Sequence, residues 1–563
     1  MTNRFYDDSF AALLCASPEV AAELGITEVG GHRIPQDRFS DLTTQGDAAR
    51  RALMARTLGQ LRALPPAPGE ALNRAIYEFF LRWGNFGRLR GVESHAFGLC
   101  DSMADHLGGV QSEVIVCLTD WQPLKTAADA ADYLARVAAV PAQLDALIVA
   151  LQERLAAGNC MPSCVTARVV QDLGALLALP AAQHPLLRRF AQAGLGDSAA
   201  LQARVERDVM PAFRRLHQFL ATAYPAEERL GLWRLRDGSG YYRFLLKAHT
   251  TTDLDADAIH VRGQEEMQRL QAEARAAFRQ QGLGDGTLAQ GFAALDADAR
   301  FKLDDVSPEA MVEAIRGIIA ETETRLRPLF GLWPRARVEA RPIPPIQESS
   351  RHSTYVPPAA DGSRPGVFDI NVAQARGSNR LDLQTVTYHE AMPGHHVQLT
   401  IAQELGANLP AFRRILTHDG YIEGWAKYAE VLPQLEGINL DPHWALARRR
   451  NELYSTANLV LDTGLHERRW SREQGIAFFA ENTGASAAMA EVIVDRAAAR
   501  PAQLCAYKLG MGTVLGARRR LEQAQGRRFD LRRFHDLILG QGSLPLALLE
   551  RLVDDELAGA AAC

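Results

Sequence analysis

The chain has 563 residues, of which 47% are hydrophobic and 23% charged, the balance of an ordinary soluble globular protein. Lys plus Arg number 62 against 67 Asp plus Glu, and the formal charge of −5 argues against nucleic acid as a partner. Seven scattered cysteines, an odd number, fit free thiols in a reducing compartment better than a disulfide framework.

The N-terminal stretch MTNRFYDDSFAALLCASPEV puts acidic residues before any apolar run, unlike a signal peptide. No run approaches the roughly 18 apolar residues of a membrane span. The expectation is a cytoplasmic chain with no membrane partner. Cys160 and Cys164 form a lone C-x3-C with no second pair, which argues against a cysteine-rich zinc site.

Most of the sequence has helical periodicity. Thr126 and Asp129 form a capping-box pattern, and Val137, Val140, Leu144, Leu147, Leu151 and Leu155 follow on one face before Gly158. Pro141 inside that run predicts two helices or a kinked one. Helical patterns also fill 197–224, 253–281 and 307–330. The clusters Arg448-Arg449-Arg450 and Arg518-Arg519-Arg520 each have a glutamate within two residues and read as solvated helix faces. Residues 336–373 differ: Pro, Gly, Ser and β-branched residues predict short strands, at 338–341 and 366–372. An extended segment just before a catalytic helix suits an edge strand that holds a peptide.

Next comes TYHEAMPGHHVQL, residues 387–399. It opens as a zinc-hydrolase helix does, with His389 followed by Glu390, but the usual second histidine, four residues on, is Pro393. On an ideal helix His395 points about 240° away, at ~100° per residue. His396 returns to the same face about 10.5 Å along the axis. Pro393-Gly394 suggests a bulge that absorbs two residues and brings His395 to the usual position, with His396 as the alternative. Downstream, DGYIEGWAKYAEVLPQL predicts a helix that offers Glu423 as a third metal ligand. Glu430, seven residues on, shares that face and suits a hydrogen bond to a ligand histidine.

YHEAMPGHHVQ followed by EGWAKYAE resembles the bacterial DUF885 family, and stretches from SPEVAAELGI to PAQLCAYKLG extend the resemblance over most of the chain. The resemblance implies a mainly α, large helical zincin-like fold with a deep cleft and a small β-element before the His-Glu helix. Residues 1–235 would form part of the cleft and 236–563 the catalytic helical region. It implies Zn2+ held by His389, His395 and Glu423, with Glu390 as general base on a metal-activated water. Tyr507, matching a recurring tyrosine, is the candidate oxyanion donor, and Arg496 the candidate partner of a substrate carboxylate. Asp462 and His466 are expected to buttress the fold. The sequence departs from the family where Asn458, Ala497 and Ala502 replace a frequent Arg, Tyr and Gly, which points to an altered substrate. The expected activity is carboxypeptidase- or oligopeptidase-like hydrolysis of a short peptide. The alternatives are a metal-dependent amide hydrolase or tailoring enzyme on a non-peptide metabolite, and an inactive helical binding protein.

Overall fold

A computed structural model describes residues 2–561 except 101, 344–352, 360, 361, 363, 407 and 408. The chain is mainly α, with strands confined to short pieces. It divides into two compact units: residues 1–241 with 359–361 and 410–412, and residues 242–358, 362–409 and 413–563. The sequence reading set the division after 235. The contacts set it between Tyr241 and Tyr242, inside the helix Gly238–Thr250. Cys15, Cys100, Cys117, Cys160, Cys164 and Cys505 stand as thiols, and Cys563 lies outside the described residues.

In the first unit the helix Ala127–Ala156 begins at the expected capping box. Thr126 Oγ1 accepts from the Asp129 N–H at 3.1 Å, and the Asp129 carboxylate accepts from the Thr126 N–H at 2.9 Å. Pro141 lies inside it without splitting it, which leaves the single helix of the two alternatives read from the sequence. An interior proline costs about 3 kcal/mol, whereas each buried Val or Leu contributes about 1.5–3 kcal/mol. Val137, Val140, Leu144, Leu147 and Leu151 are all fully buried, so packing wins. This helix is long and apolar enough to cross a membrane by length and composition alone, yet that same row belongs to a core cluster with Phe190, Phe213 and Leu216.

The second unit is built on the helix Pro442–His466, in which every residue from Ser455 to His466 is buried. It packs against Ala256–Gln280, Arg380–Glu390 and Cys505–Gln525. Because the helix is enclosed, its arginine cluster is not a solvated face as expected. Arg448 and Arg450 are buried: Arg448 donates to Glu452 at 2.9 Å, and Arg450 bridges Asp296 and Asp382. In the second cluster only Arg519 and Arg520 are exposed, while Arg518 donates to Glu436 at 2.6 Å.

Residues 336–373 contribute a three-stranded sheet, ordered Val338–Pro342, Gly366–Ile370, Thr354–Val356. The first pair is parallel, the second antiparallel, with Ala340, Phe368 and Tyr355 in register. The Thr354–Val356 strand, which the sequence reading missed, is an edge among the described residues.

Candidate metal centre

Asn379 caps the His-Glu helix, Arg380–Glu390; its Oδ1 accepts from the Leu381 and Asp382 N–H groups, both at 2.9 Å. The helix stops after Glu390. Residues 391–394 turn, with a cis Met392–Pro393 peptide, and a new helix runs His395–Glu404. The expected bulge within one helix is therefore a break between two, because Pro393 brings no N–H to continue the ladder. Gly394 is required by space: a Cβ there would lie 1.9 Å from the His389 carbonyl oxygen. The Trp425 indole N–H ties the turn down by donating to the Pro393 carbonyl at 2.9 Å.

The break brings His389 and His395 together, ring centroids 4.8 Å apart and nearly perpendicular. Glu423 comes from the helix Asp419–Leu435. Its Oε2 lies 3.4 Å from His389 Nε2 and 3.5 Å from His395 Nε2, and it has no hydrogen-bond partner. Two donors each about 2.0–2.1 Å from a tetrahedral zinc ion stand roughly 3.3–3.4 Å apart. Two imidazoles and a carboxylate, leaving one position open, are also the donor set of catalytic rather than structural zinc sites. The three residues present therefore fit such an ion. Their side chains keep 11–12% exposure, although Glu423 Oε2 itself is buried.

Glu430, two turns beyond Glu423, accepts from His389 Nδ1 at 2.8 Å, which directs Nε2 toward Glu423. Lys427, 2% exposed and missed by the sequence reading, donates to Glu430 Oε2 at 2.7 Å. A lysine in AKYAE resembles a solvated residue, and only its place three before Glu430 hinted at pairing. Burial alone lowers the basicity of His389, but Glu423, Glu430 and Glu390 carry it up to about 10. For Glu423 burial acts upward, and the two imidazoles outweigh it, holding the carboxyl far below its usual range. Burial raises Glu390, with Glu423 adding to it and His389 and His395 opposing.

His396, the alternative ligand, turns away. Its Nε2 donates to the Ala336 carbonyl at 3.1 Å and its Nδ1 accepts from the Tyr355 hydroxyl at 2.8 Å. Burial lowers it to about 4, so it is a neutral structural histidine that ties the helix to the sheet. The same edge strand approaches the general-base candidate, through a hydrogen bond from the Tyr355 backbone to Glu390.

Tyr507 stacks near His389, centroids 6.3 Å apart at 15°. Arg496 donates to the Tyr507 hydroxyl at 2.9 Å and to Gln503 Oε1 at 3.1 Å, and Gln503 Nε2 donates to the same hydroxyl at 3.4 Å. Burial lowers Arg496, but Tyr507, Glu423 and Glu390 leave it raised overall. The helix bearing Tyr507 crosses the Glu423 helix at glycines: a Cβ on Gly424 would meet the Gly510 carbonyl carbon at 2.4 Å.

Asp462 accepts from the Tyr242 hydroxyl at 2.6 Å and from the Ala502 N–H at 3.0 Å, and His466 Nε2 donates to the Ala497 carbonyl at 3.0 Å. Asp462 buttresses the turn before Tyr507, and His466 the helix Ala487–Ala499 that leads into it. Ala497 and Ala502 are fully buried, and Ala502 adopts φ 70°. These two departures from the family pattern are packed positions, and Asn458, the third, is buried as well.

A family model described as "Bacterial protein of unknown function (DUF885)" matches residues 18–553. The chain belongs to the DUF885 family. A crystal structure described as "the putative lipoprotein from Colwellia psychrerythraea" is similar to this DUF885 chain at TM-score 0.91 and 26% identity, covering 99% of this chain and 98% of that one. A second, "a putative lipoprotein of unknown function from Shewanella oneidensis", shares the fold at TM-score 0.71 and 18% identity, covering 97% and 98%. No curated protein matches.

Proposed function

We propose that this DUF885 chain is a zinc-dependent, zincin-like hydrolase that cleaves an amide bond in a short peptide, in the manner of a carboxypeptidase or oligopeptidase. The observation that carries the reading is the convergence of His389, His395 and Glu423 at zinc-ligand spacing beside Glu390. Zinc held there supplies a Lewis acid and acidifies a water molecule. Glu390, whose carboxyl is raised, takes the proton from the attacking water and returns it to the leaving amine. The Tyr507 hydroxyl accepts from Arg496 and Gln503, so its own proton is directed to the developing oxyanion. Arg496 orients that tyrosine and is the candidate partner of a substrate carboxylate. The Thr354–Val356 edge offers backbone groups to an extended peptide.

The test is zinc analysis of the full chain together with hydrolysis of a library of dipeptides, oligopeptides and N-acyl amino acids. Stoichiometric zinc is expected in wild type and in Glu390→Gln, with hydrolysis reduced about 10²–10⁴-fold in the variant. A chain that takes up no zinc after reconstitution would sink the reading. Turnover of N-acyl amino acids without peptides would move the substrate to a non-peptide amide.

A further inference from the structure

The first unit contains a recess that the proposed chemistry does not use. It is a small, half-open recess with about 30 Å³ of space that water can enter, and four arginines line it: Arg50, Arg88, Arg90 and Arg154. They arrive from different elements. Arg50 stands on the helix Thr44–Ala63, Arg90 ends the strand Leu89–Arg90, and Arg154 lies in the last turn of Ala127–Ala156.

The anionic groups nearby each have a hydrogen-bond or ion-pair partner, though Glu153, bonded to a hydroxyl, keeps its charge. Asp47 and Glu153 also line the recess, but Asp47 Oδ2 accepts from Arg51 Nε at 2.7 Å and Glu153 Oε2 accepts from the Thr44 hydroxyl at 2.8 Å. Glu113 pairs with Arg88. Arg50, only 7% exposed, donates Nη1 to the Asp41 carbonyl, has Asp47 no nearer than 3.7 Å, and has no partner at Nε. Arg90 donates Nη1 to the Gly87 carbonyl at 2.6 Å, and its Nε also has no partner. Carbonyl oxygens satisfy donors without neutralising the cation, and a buried unmet donor costs stability. Thr43 and Thr44 bring the positive end of a helix dipole to the same wall, since Thr43 is the N-cap of Thr44–Ala63.

We infer that this recess binds a phosphate group, either inorganic phosphate or the terminal phosphate of a small ester. Guanidinium groups from three elements surround a tetrahedral oxyanion, whereas a planar carboxylate is satisfied by one bidentate fork. A phosphate carries about −1.5 to −2 charge at neutral pH, and Arg50 and Arg90, whose hydrogen bonds go to carbonyl oxygens, keep their positive charge for it.

The experiment is calorimetric titration of the full chain with inorganic phosphate, with acetate, glycerol phosphate and phosphatidic-acid vesicles as parallel arms. Saturable phosphate binding at millimolar concentrations is expected, weakened roughly tenfold or more in Arg50→Gln and in Arg90→Gln. Should Arg50→Gln fail to fold, the half-exposed Arg90→Gln decides. Tighter binding of glycerol phosphate identifies an esterified ligand, and tighter binding of vesicles a lipid headgroup. Absence of saturable phosphate binding, acetate binding as tight as phosphate, or undiminished binding in the folded variants would overturn the inference.

Discussion

Glu430 and His389 are joined by a 2.8 Å hydrogen bond, and the carboxylate receives a buried lysine, Lys427, on its other oxygen. The pair fixes the ring so that Nε2 faces Glu423 and His395. Groups in this position tune metal affinity by orienting the ligand and raising its basicity. Glu430→Gln keeps the shape of the side chain and removes its charge. Its zinc affinity, measured by competition with a chelator, is expected to fall about 10–100-fold. Unchanged affinity would leave Glu430 as a packing residue.

Gly394 separates the two histidine-bearing helices, and the His389 carbonyl oxygen occupies the place of its missing side chain. Gly394→Ala must push the turn open. The expected cost is about 1–3 kcal/mol of stability, with loss of zinc binding as His395 moves off His389. Thermal melts and zinc stoichiometry report both effects. A variant as stable and as metal-loaded as wild type would refute the assigned role of the turn.

Ala502 holds a left-handed backbone at φ 70° with its N–H fixed by Asp462. Left-handed geometry costs an L-residue about 1–2 kcal/mol, partly offset in glycine by greater freedom of the unfolded chain. Ala502→Gly is therefore expected to stabilise the protein by roughly 0.5–1 kcal/mol, read as a higher denaturant midpoint. A lower midpoint would contradict the strain.

Asp462 is buried, and burial lifts its carboxyl from 3.8 to about 7. Between those values the folded chain binds more protons than the unfolded chain. The contribution to stability is full below 3.8 and is lost as pH rises through about 7. Asp462→Asn cannot ionise. Relative to wild type, its melting temperature should improve on moving from about pH 5 to about pH 8. Comparing the two pH values cancels any fixed cost of the weaker acceptor, and a gap independent of pH would exclude an ionising Asp462.

The sequence carried the mainly α fold and the order of the elements that bear His389, His395 and Glu423, because helical periodicity and caps are local properties. The spacing of His389, Glu390, Gly394 and His395 signalled a variant centre, and a seven-residue repeat linked Glu423 to Glu430. It could not separate His395 from His396, because the direction of each ring depends on the turn at 391–394 and on Tyr355 across the sheet. The strand Thr354–Val356 escaped notice because three residues carry too little alternation to register. The burial of Arg448 and Arg450 was hidden because their acceptors Asp296 and Asp382 are remote in sequence.

The glycine crossing has a consequence for comparing this chain with its relatives. Gly424 directly follows Glu423, and Gly510 lies three residues after Tyr507, so each chemical group travels with its own spacer. A relative that keeps every histidine and glutamate but has lost either glycine must hold those two helices further apart. Such a chain would preserve the visible signature of the cluster while being unable to bring Tyr507 as close to it, and these two small residues are the place to look for that difference.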